Sequence, residues 1–193
     1  MTRLATLCSV ALGLQLFAAP LAAQIGLASG SQSVQLLATK RGSVGIALPA
    51  GAAATLPGDL VAGANDFAPL PVVTSWNLDP ARTASVRLVA FFETPARALA
   101  AELGAIPASS VLGRVPTGGP KSFAPFTGDP VATGGGMLGA AGGTLVLFAQ
   151  PIAGGNAVGS RTDELQMRID LSRLPDLPPG TYTGTLNLVA TTQ

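Results

Sequence analysis

Glycine and proline interrupt this 193-residue chain so often that little of it can form a long helix. The sequence contains 24 glycines and 16 prolines, and the runs between them are rich in valine, leucine and threonine. Glycine and proline favour turns, whereas β-branched side chains favour strands. The pattern therefore predicts short β-strands joined by turns.

Eight apolar or alternating runs are the predicted strands: residues 33–40, 43–48, 72–78, 85–92, 106–115, 145–152, 165–171 and 181–190. Arg41-Gly42 is predicted to form a tight turn between the first two. Residues 49–71 and 116–143 have no sustained period and are rich in glycine, alanine or proline. They are predicted to be surface connections.

Alternation assigns a buried face to several of these strands. Side chains two residues apart share a face, which groups Val72, Thr74, Trp76 and Leu78 in one strand. The same rule groups Leu165, Met167, Ile169 and Leu171 in another. Residues 85–92 are apolar on both faces, which predicts a central strand. Trp76 and Tyr182, the single tryptophan and tyrosine, are predicted to be buried structural residues.

Residues 94–104 are the one helix candidate. Thr94 can cap its start, Pro95 suits the first helical position and Gly104 can end it. Leu99 and Leu103, four residues apart, would stack on one face. The prediction is a short helix that covers one end or face of a sheet.

Together these elements predict an all-β fold, an immunoglobulin-like β-sandwich of seven or eight strands with one short helix. A single closed sheet is the alternative architecture. No internal repeat is visible, and about 170 residues after the N-terminal segment suit one domain. The predicted organisation is residues 1–23 as a signal peptide and residues 24–193 as a single β-sandwich domain.

The N-terminal 23 residues have the order of a cleavable export signal. Arg3 supplies a positive charge, residues 4–17 are mostly apolar, and residues 18–23 are mostly small. A membrane anchor is less favoured because Gln15 and Pro20 interrupt a run that would need about 20 apolar residues to span a bilayer. We expect cleavage after Ala23 and a secreted protein, in the periplasm, at the cell surface or outside the cell.

Charge and residue types narrow the functional classes. Only Arg3 among the eleven basic residues precedes Gln24, so ten bases face ten acids in the mature chain. This balance favours neither a nucleic acid nor a membrane surface as partner, and no membrane span is expected in the mature chain. The sequence has no histidine, and its one cysteine, Cys8, lies in the signal. Ser-His-Asp and Cys-His catalysis, disulfides and the usual zinc ligand sets are therefore excluded.

The remaining motifs are weak. Residues 134–139 (GGGMLG) fit G-x-G-x-x-G, but a strand-like run follows them where phosphate binding needs a helix. Asp163 and Glu164 are adjacent and should point to opposite faces of a strand, as a solvated strand entry. Asp59, Asp66 and Asp129 lie in predicted loops without the spacing of a calcium-binding loop. No catalytic, cofactor-binding or metal-binding residue is predicted, and no cofactor.

Residues 170–190, DLSRLPDLPPGTYTGTLNLVA, resemble the closing corner and strand of bacterial exported immunoglobulin-like subunits of the pilin-like and spore-coat-U-like kind. The resemblance implies a β-sandwich. It also implies that Tyr182 is a tyrosine corner whose hydroxyl bonds to upstream backbone.

The sequence favours a non-enzymatic structural, adhesive or surface-assembly module. The alternative is a carbohydrate-active or other hydrolytic accessory protein that uses carboxylates, for which two acids in one cleft would be needed. The expected partner is the chain itself or another exported subunit, through β-strand addition to the strand at residues 181–190. Residues 24–40, with Ile25, Leu27, Val34 and Leu36, are the predicted donor strand, in cis or in trans.

Overall fold

The computed structural model describes residues 42–81, 84–174 and 176–193, which belong to one compact unit. The strands predicted at residues 43–48, 72–78, 85–92, 145–152 and 165–171 are confirmed, whereas the predicted strand at 33–40 lies outside the described residues. The strands are β1 (Ser43–Ala47), β2 (Ala64–Asp66), β3 (Leu70–Asn77), β4 (Ala84–Phe91), β5 (Leu99–Ala100), β6 (Ala105–Ile106), β7 (Val111–Arg114), β8 (Ala124–Pro125), β9 (Val131–Thr133), β10 (Gly136–Leu138), β11 (Thr144–Ile152), β12 (Val158–Asp170) and β13 (Asn187–Thr192).

Two antiparallel sheets dominate the fold. The larger has the order β1-β3-β12-β7-β8, with β2 also paired to β12, and the smaller has the order β11-β4-β13. Two small hairpins, β5–β6 and β9–β10, stand apart from them. The protein is therefore all-β, as the sequence predicts. Among the described residues no helix is long and apolar enough to cross a membrane.

Both large sheets contribute to one apolar core. On β3, Val72, Thr74 and Trp76 are buried while Pro71, Val73 and Ser75 are exposed, which confirms the predicted alternation. Strand β4 is central in its sheet and buries side chains on both faces, as its apolar sequence predicts. The larger sheet adds Leu165, Met167 and Ile169.

The predicted helix at residues 94–104 is wrong. A single 3-10 turn spans Pro95–Arg97, and the chain then extends into the β5–β6 hairpin. Ala100 exchanges backbone hydrogen bonds with Thr183, at N–O distances of 2.8 and 3.1 Å. A helix of two or three turns is marginal by itself, and these pairings replace its internal bonds. Leu103 is consequently 77% exposed instead of stacked on Leu99.

The strand predicted at residues 181–190 is only half right, because β13 begins at Asn187. The residues before β13 pass close to the end of the 3-10 turn at Pro95–Arg97: a Cβ on Gly184 would lie 1.9 Å from the Ala98 carbonyl oxygen. This close approach to another segment prevents continuous pairing with β4. Tyr182 is half-buried and not fully buried as predicted.

The connections predicted at residues 49–71 and 116–143 also contain strands. β2 pairs with the end of β12, in a register that places Asn65 opposite Ile169. Asn65 is buried, accepting a hydrogen bond from the Val61 N–H and donating to the carbonyls of Val61 and Gly63. β8, β9 and β10 lie in the second connection. Strands of two or three residues are too short to show a period in the sequence.

Candidate functional site

The glycine-rich motif at residues 134–139 lies in the β9–β10 hairpin. Thr133 Oγ1 donates to the carbonyl of Gly136 at 2.9 Å and accepts from the Gly135 N–H at 3.3 Å. The segment ends before β11, a strand. A phosphate-binding loop presents free N–H groups at a helix start, so this turn has a different construction.

The adjacent acids Asp163 and Glu164 point to opposite faces of β12, as predicted, but one of them is not solvated. Glu164 is exposed, whereas the Asp163 side chain is 1% exposed. The expectation of a solvated strand entry is therefore wrong for Asp163. The reason is a cation two residues away on the same inward face, Arg161.

Arg161 and Asp163 form an ion pair inside the protein. The Arg161 Nε and Nη2 atoms donate to the two carboxylate oxygens at 2.6 and 2.5 Å. Nη2 also donates to the carbonyl of Thr117, and the guanidinium carbon lies 4.0 Å from the centre of the Phe148 ring. The arrangement connects β12, β11 and the loop after β7. Asp163 and Phe148 are buried, whereas Thr117 is exposed. The arrangement is built to stabilise the fold.

A second arginine cluster lies on the outer face of the larger sheet. Arg168 donates to both oxygens of Asp66, at 2.6 and 2.9 Å, and Arg114 donates to Gln166 at 2.8 Å. Both guanidinium carbons lie within 4.5 Å of the centre of the Phe123 ring. The hydrogen bond from Arg168, with the charges of both arginines, lowers the pKa of Asp66, and Asp66 raises the pKa of Arg168.

The other acids named from the sequence stay apart. Asp59 and Asp129 are exposed, and Asp66 is committed to Arg168. In the described ranges, no group of three or more acids, cysteines or histidines is placed to hold a metal ion.

Tyr182 makes the contact expected of a tyrosine corner. Its hydroxyl donates to the carbonyl of Pro178 at 2.7 Å. The hydroxyl also packs against Gly104, where an added Cβ would lie 2.5 Å from it. Tyr182 therefore fixes the Pro-Pro-Gly corner against the β5–β6 hairpin.

Strand edges of the two sheets come together on one side of the molecule. Within the described ranges β13 pairs with β4 alone and β1 pairs with β3 alone, and the two strands are close neighbours. The pairing of β13 continues to Gln193, which exchanges backbone hydrogen bonds with Ser85 at 2.8 and 3.0 Å. A strand with one partner presents N–H and C=O groups on its other side.

A polar cleft of about 290 Å³ lies where the end of β4 meets the start of β13. Charged, amide and hydroxyl side chains line it together with a buried ring and small residues: Phe92, Glu93, Thr94, Arg97, Ala98, Gly184, Thr185 and Asn187. It contains one carboxylate, so it supplies half of the pair used in two-carboxylate hydrolysis. The lining comes from two segments that are remote from each other in the chain, which no sequence motif could reveal.

Comparison of the chain with protein-family models, with curated proteins and with solved structures gave no match.

Proposed function

We propose that this chain is an exported, non-enzymatic β-sandwich protein of the immunoglobulin-like type that serves as a structural, adhesive or surface-assembly module. The observation that carries the proposal is the strand edge: β13 and β1 are neighbours, and each has one strand partner among the described residues. The core shared by the two sheets supports the sandwich type. The Tyr182 contact supports the immunoglobulin-like type.

Export is proposed from the first 23 residues, which order a charge, an apolar run and small residues as a signal peptide does. The test is N-terminal sequencing of the protein recovered outside the cytoplasm. We expect it to begin at or near Gln24. Recovered protein that still begins at Met1 would contradict the proposal.

Strand addition at the β1–β13 side is the proposed mode of assembly. The unpaired edge of a strand accepts another strand through backbone hydrogen bonds, and alternate side chains of the added strand provide specificity. Residues 24–40 are the proposed donor because their apolar residues alternate with small and polar ones. Self-completion by the same molecule is proposed ahead of polymerisation.

Deletion of residues 24–40 tests this mode. Size-exclusion chromatography and thermal melting of the deletion variant beside its parent should show lost stability if the donor acts in cis, or lost oligomers if it acts in trans. A matched variant keeps the length and replaces Ile25, Leu27, Val34 and Leu36 with serine. It distinguishes the contribution of the apolar side chains from that of backbone hydrogen bonds. A deletion variant as monomeric, stable and soluble as its parent would refute strand addition by this segment.

A further inference from the structure

The polar cleft beside β4 has features of a binding site that strand addition does not use. Glu93 and Arg97 are exposed residues of opposite charge that both line this cleft. Neither side chain forms an ion pair or hydrogen bond with any described residue, and no ion pair joins them to each other. Arg161 and Arg168, in contrast, each have a carboxylate partner. Both residues of the cleft, Glu93 and Arg97, are exposed, so their charged groups are accessible to a ligand.

The backbone around the cleft is held in place on both sides. On one side Phe92 donates its N–H to Gly143 at 3.0 Å, and Arg97 donates its N–H to Thr94 at 2.9 Å. On the other side Asn187 is in register with Phe91, at the start of the pairing between β13 and β4. Both walls are thus fixed to the same sheet, and ligand contacts would fall on a prearranged frame.

The floor of the cleft limits the kind of ligand. The Phe92 ring is 4% exposed and packs edge-to-face on Phe126, with 5.1 Å between ring centres. It therefore offers little surface for stacking against an apolar or ring-shaped ligand. A volume of about 290 Å³ is at the lower end of the range for small-molecule pockets. A small and strongly polar ligand fits both limits.

We propose that this cleft binds a small zwitterion with one carboxylate and one ammonium group, the chemistry of a free amino acid. Arg97 would bind the carboxylate through two parallel N–H donors, and Glu93 would accept from the ammonium group. Asn187 offers a donor and an acceptor, and Thr94 and Thr185 offer hydroxyls. A ligand with a single charge would satisfy one of the two charged side chains and leave the other unpaired.

The direct test is titration of the purified protein with L-alanine, followed by NMR chemical shifts. N-acetyl-L-alanine lacks the ammonium group and L-alanine methylamide lacks the carboxylate. We expect L-alanine to bind at about millimolar concentration and each derivative about tenfold more weakly, since one charged hydrogen bond is lost. Equal binding of all three compounds, or no saturable shift up to about 10 mM, would overturn the proposal.

Two substitutions assign the groups. Glu93→Gln should remove the preference for L-alanine over its N-acetyl derivative, and Arg97→Gln should remove the preference over the methylamide. Glu102→Gln and Arg173→Gln change the same charges at exposed positions outside the cleft and should bind as the parent does. Binding unaffected by either cleft substitution would place the ligand elsewhere and overturn the proposal. Because this readout is independent of oligomeric state, its failure would leave the strand-addition proposal untouched.

Discussion

Two arginines of β12 each pair with an aspartate and each lie over a phenylalanine ring, but on opposite faces of the sheet. Arg161 and Asp163 point inward, with side chains 17% and 1% exposed, whereas Arg168 and Asp66 point outward, at 33% and 59%. The hydrogen-bond distances are similar in the two pairs. Because the geometry is similar and the exposure differs, a difference in the stability that the two pairs contribute would come from their environment.

Because of this difference in burial, substitutions in the inner pair should lower the free energy of unfolding strongly, whereas substitutions in the outer pair should hardly change it. An exposed pair gains little, because water and salt screen its attraction and ordering two side chains costs entropy. A buried pair gives up hydration that each partner needs, so the removal of one partner leaves an uncompensated charge. The alternation of β12 predicts which face a residue takes, but it does not predict whether a charge on that face has a partner.

The largest loss of stability is expected from removal of Trp76, an apolar side chain of β3 that packs against the first residues of β12. The Trp76 ring covers Gly159, where an added Cβ would lie 2.8 Å from the ring, and its N–H donates to the Asn156 carbonyl at 2.8 Å. Trp76→Ala should lower the free energy of unfolding by about 3–5 kcal/mol, as measured by urea denaturation. Trp76→Phe, which keeps much of the apolar volume, should lose less. An unchanged melting temperature for Trp76→Ala would show that the ring is not part of the core.

Removing one partner of the inner pair should come next. Asp163→Leu leaves the Arg161 charge inside without its carboxylate, and we expect a loss of about 3 kcal/mol in urea denaturation. Glu164→Leu, one residue away and on the exposed face, is the matched control and should change stability by less than about 0.5 kcal/mol.

The double variant Arg161→Met with Asp163→Leu sharpens this prediction. With both charges replaced by apolar side chains of similar size, stability should return close to that of the parent. If the double variant is as unstable as Asp163→Leu, the loss comes from packing and not from an unpaired charge, and the comparison fails.

Added volume in the loop after β7, which contacts Arg161 through Thr117 and Gly118, should lower the free energy of unfolding. A Cβ on Gly119 would lie 2.1 Å from the carbonyl oxygen of Leu147, so the loop would have to move away from β11 and Arg161. Gly119→Ala should cost about 1–3 kcal/mol, measured in the same way. At Gly134, no atom of a neighbour lies within 4 Å of an added Cβ, so Gly134→Ala is the control. Equal stability of the two variants would mean that the loop is not packed closely.

The sequence predicts the apolar faces of this fold better than its polar interior. The alternation at Val72, Thr74 and Trp76 is sufficient by itself to assign a buried face. Asp163 follows the period of the buried face of β12, but an acidic side chain favours a solvated interpretation. Its partner Arg161 is two residues away, whereas the residues that contact Arg161, Thr117 and Phe148, are remote in the chain. The extended course of residues 98–100 is equally hidden in the sequence, because it depends on pairing with Thr183.

The cleft could not have been predicted from any motif. Arg97 lies in the segment predicted as a helix, residues 94–104, and Glu93 directly precedes it, whereas Asn187 lies in the last strand of the described fold. The 3-10 turn and the close approach at Gly184 bring them together. Both features depend on tertiary contacts and leave no periodic signal. The signal peptide and the strand donor, in contrast, are predictions from the sequence alone.

The smallest loss of stability is expected at the outer pair. Its dependence on pH distinguishes the loss of a charge interaction from a change in packing. Asp66→Asn should lower the free energy of unfolding by less than about 1 kcal/mol at neutral pH, and less still in high salt. Arg168 lowers the pKa of Asp66 in the folded protein below its ordinary value of 3.8. The pair's contribution is therefore present above about pH 4 and is lost as the pH falls through the lowered value. Urea denaturation at pH 7 and at about pH 3 should show the difference between parent and variant shrinking in acid. Asp59→Asn, at an exposed position, controls for the change in net charge. A loss at Asp66 as large as that of Asp163→Leu, or one that persists unchanged in acid, would show that exposure does not separate the two pairs.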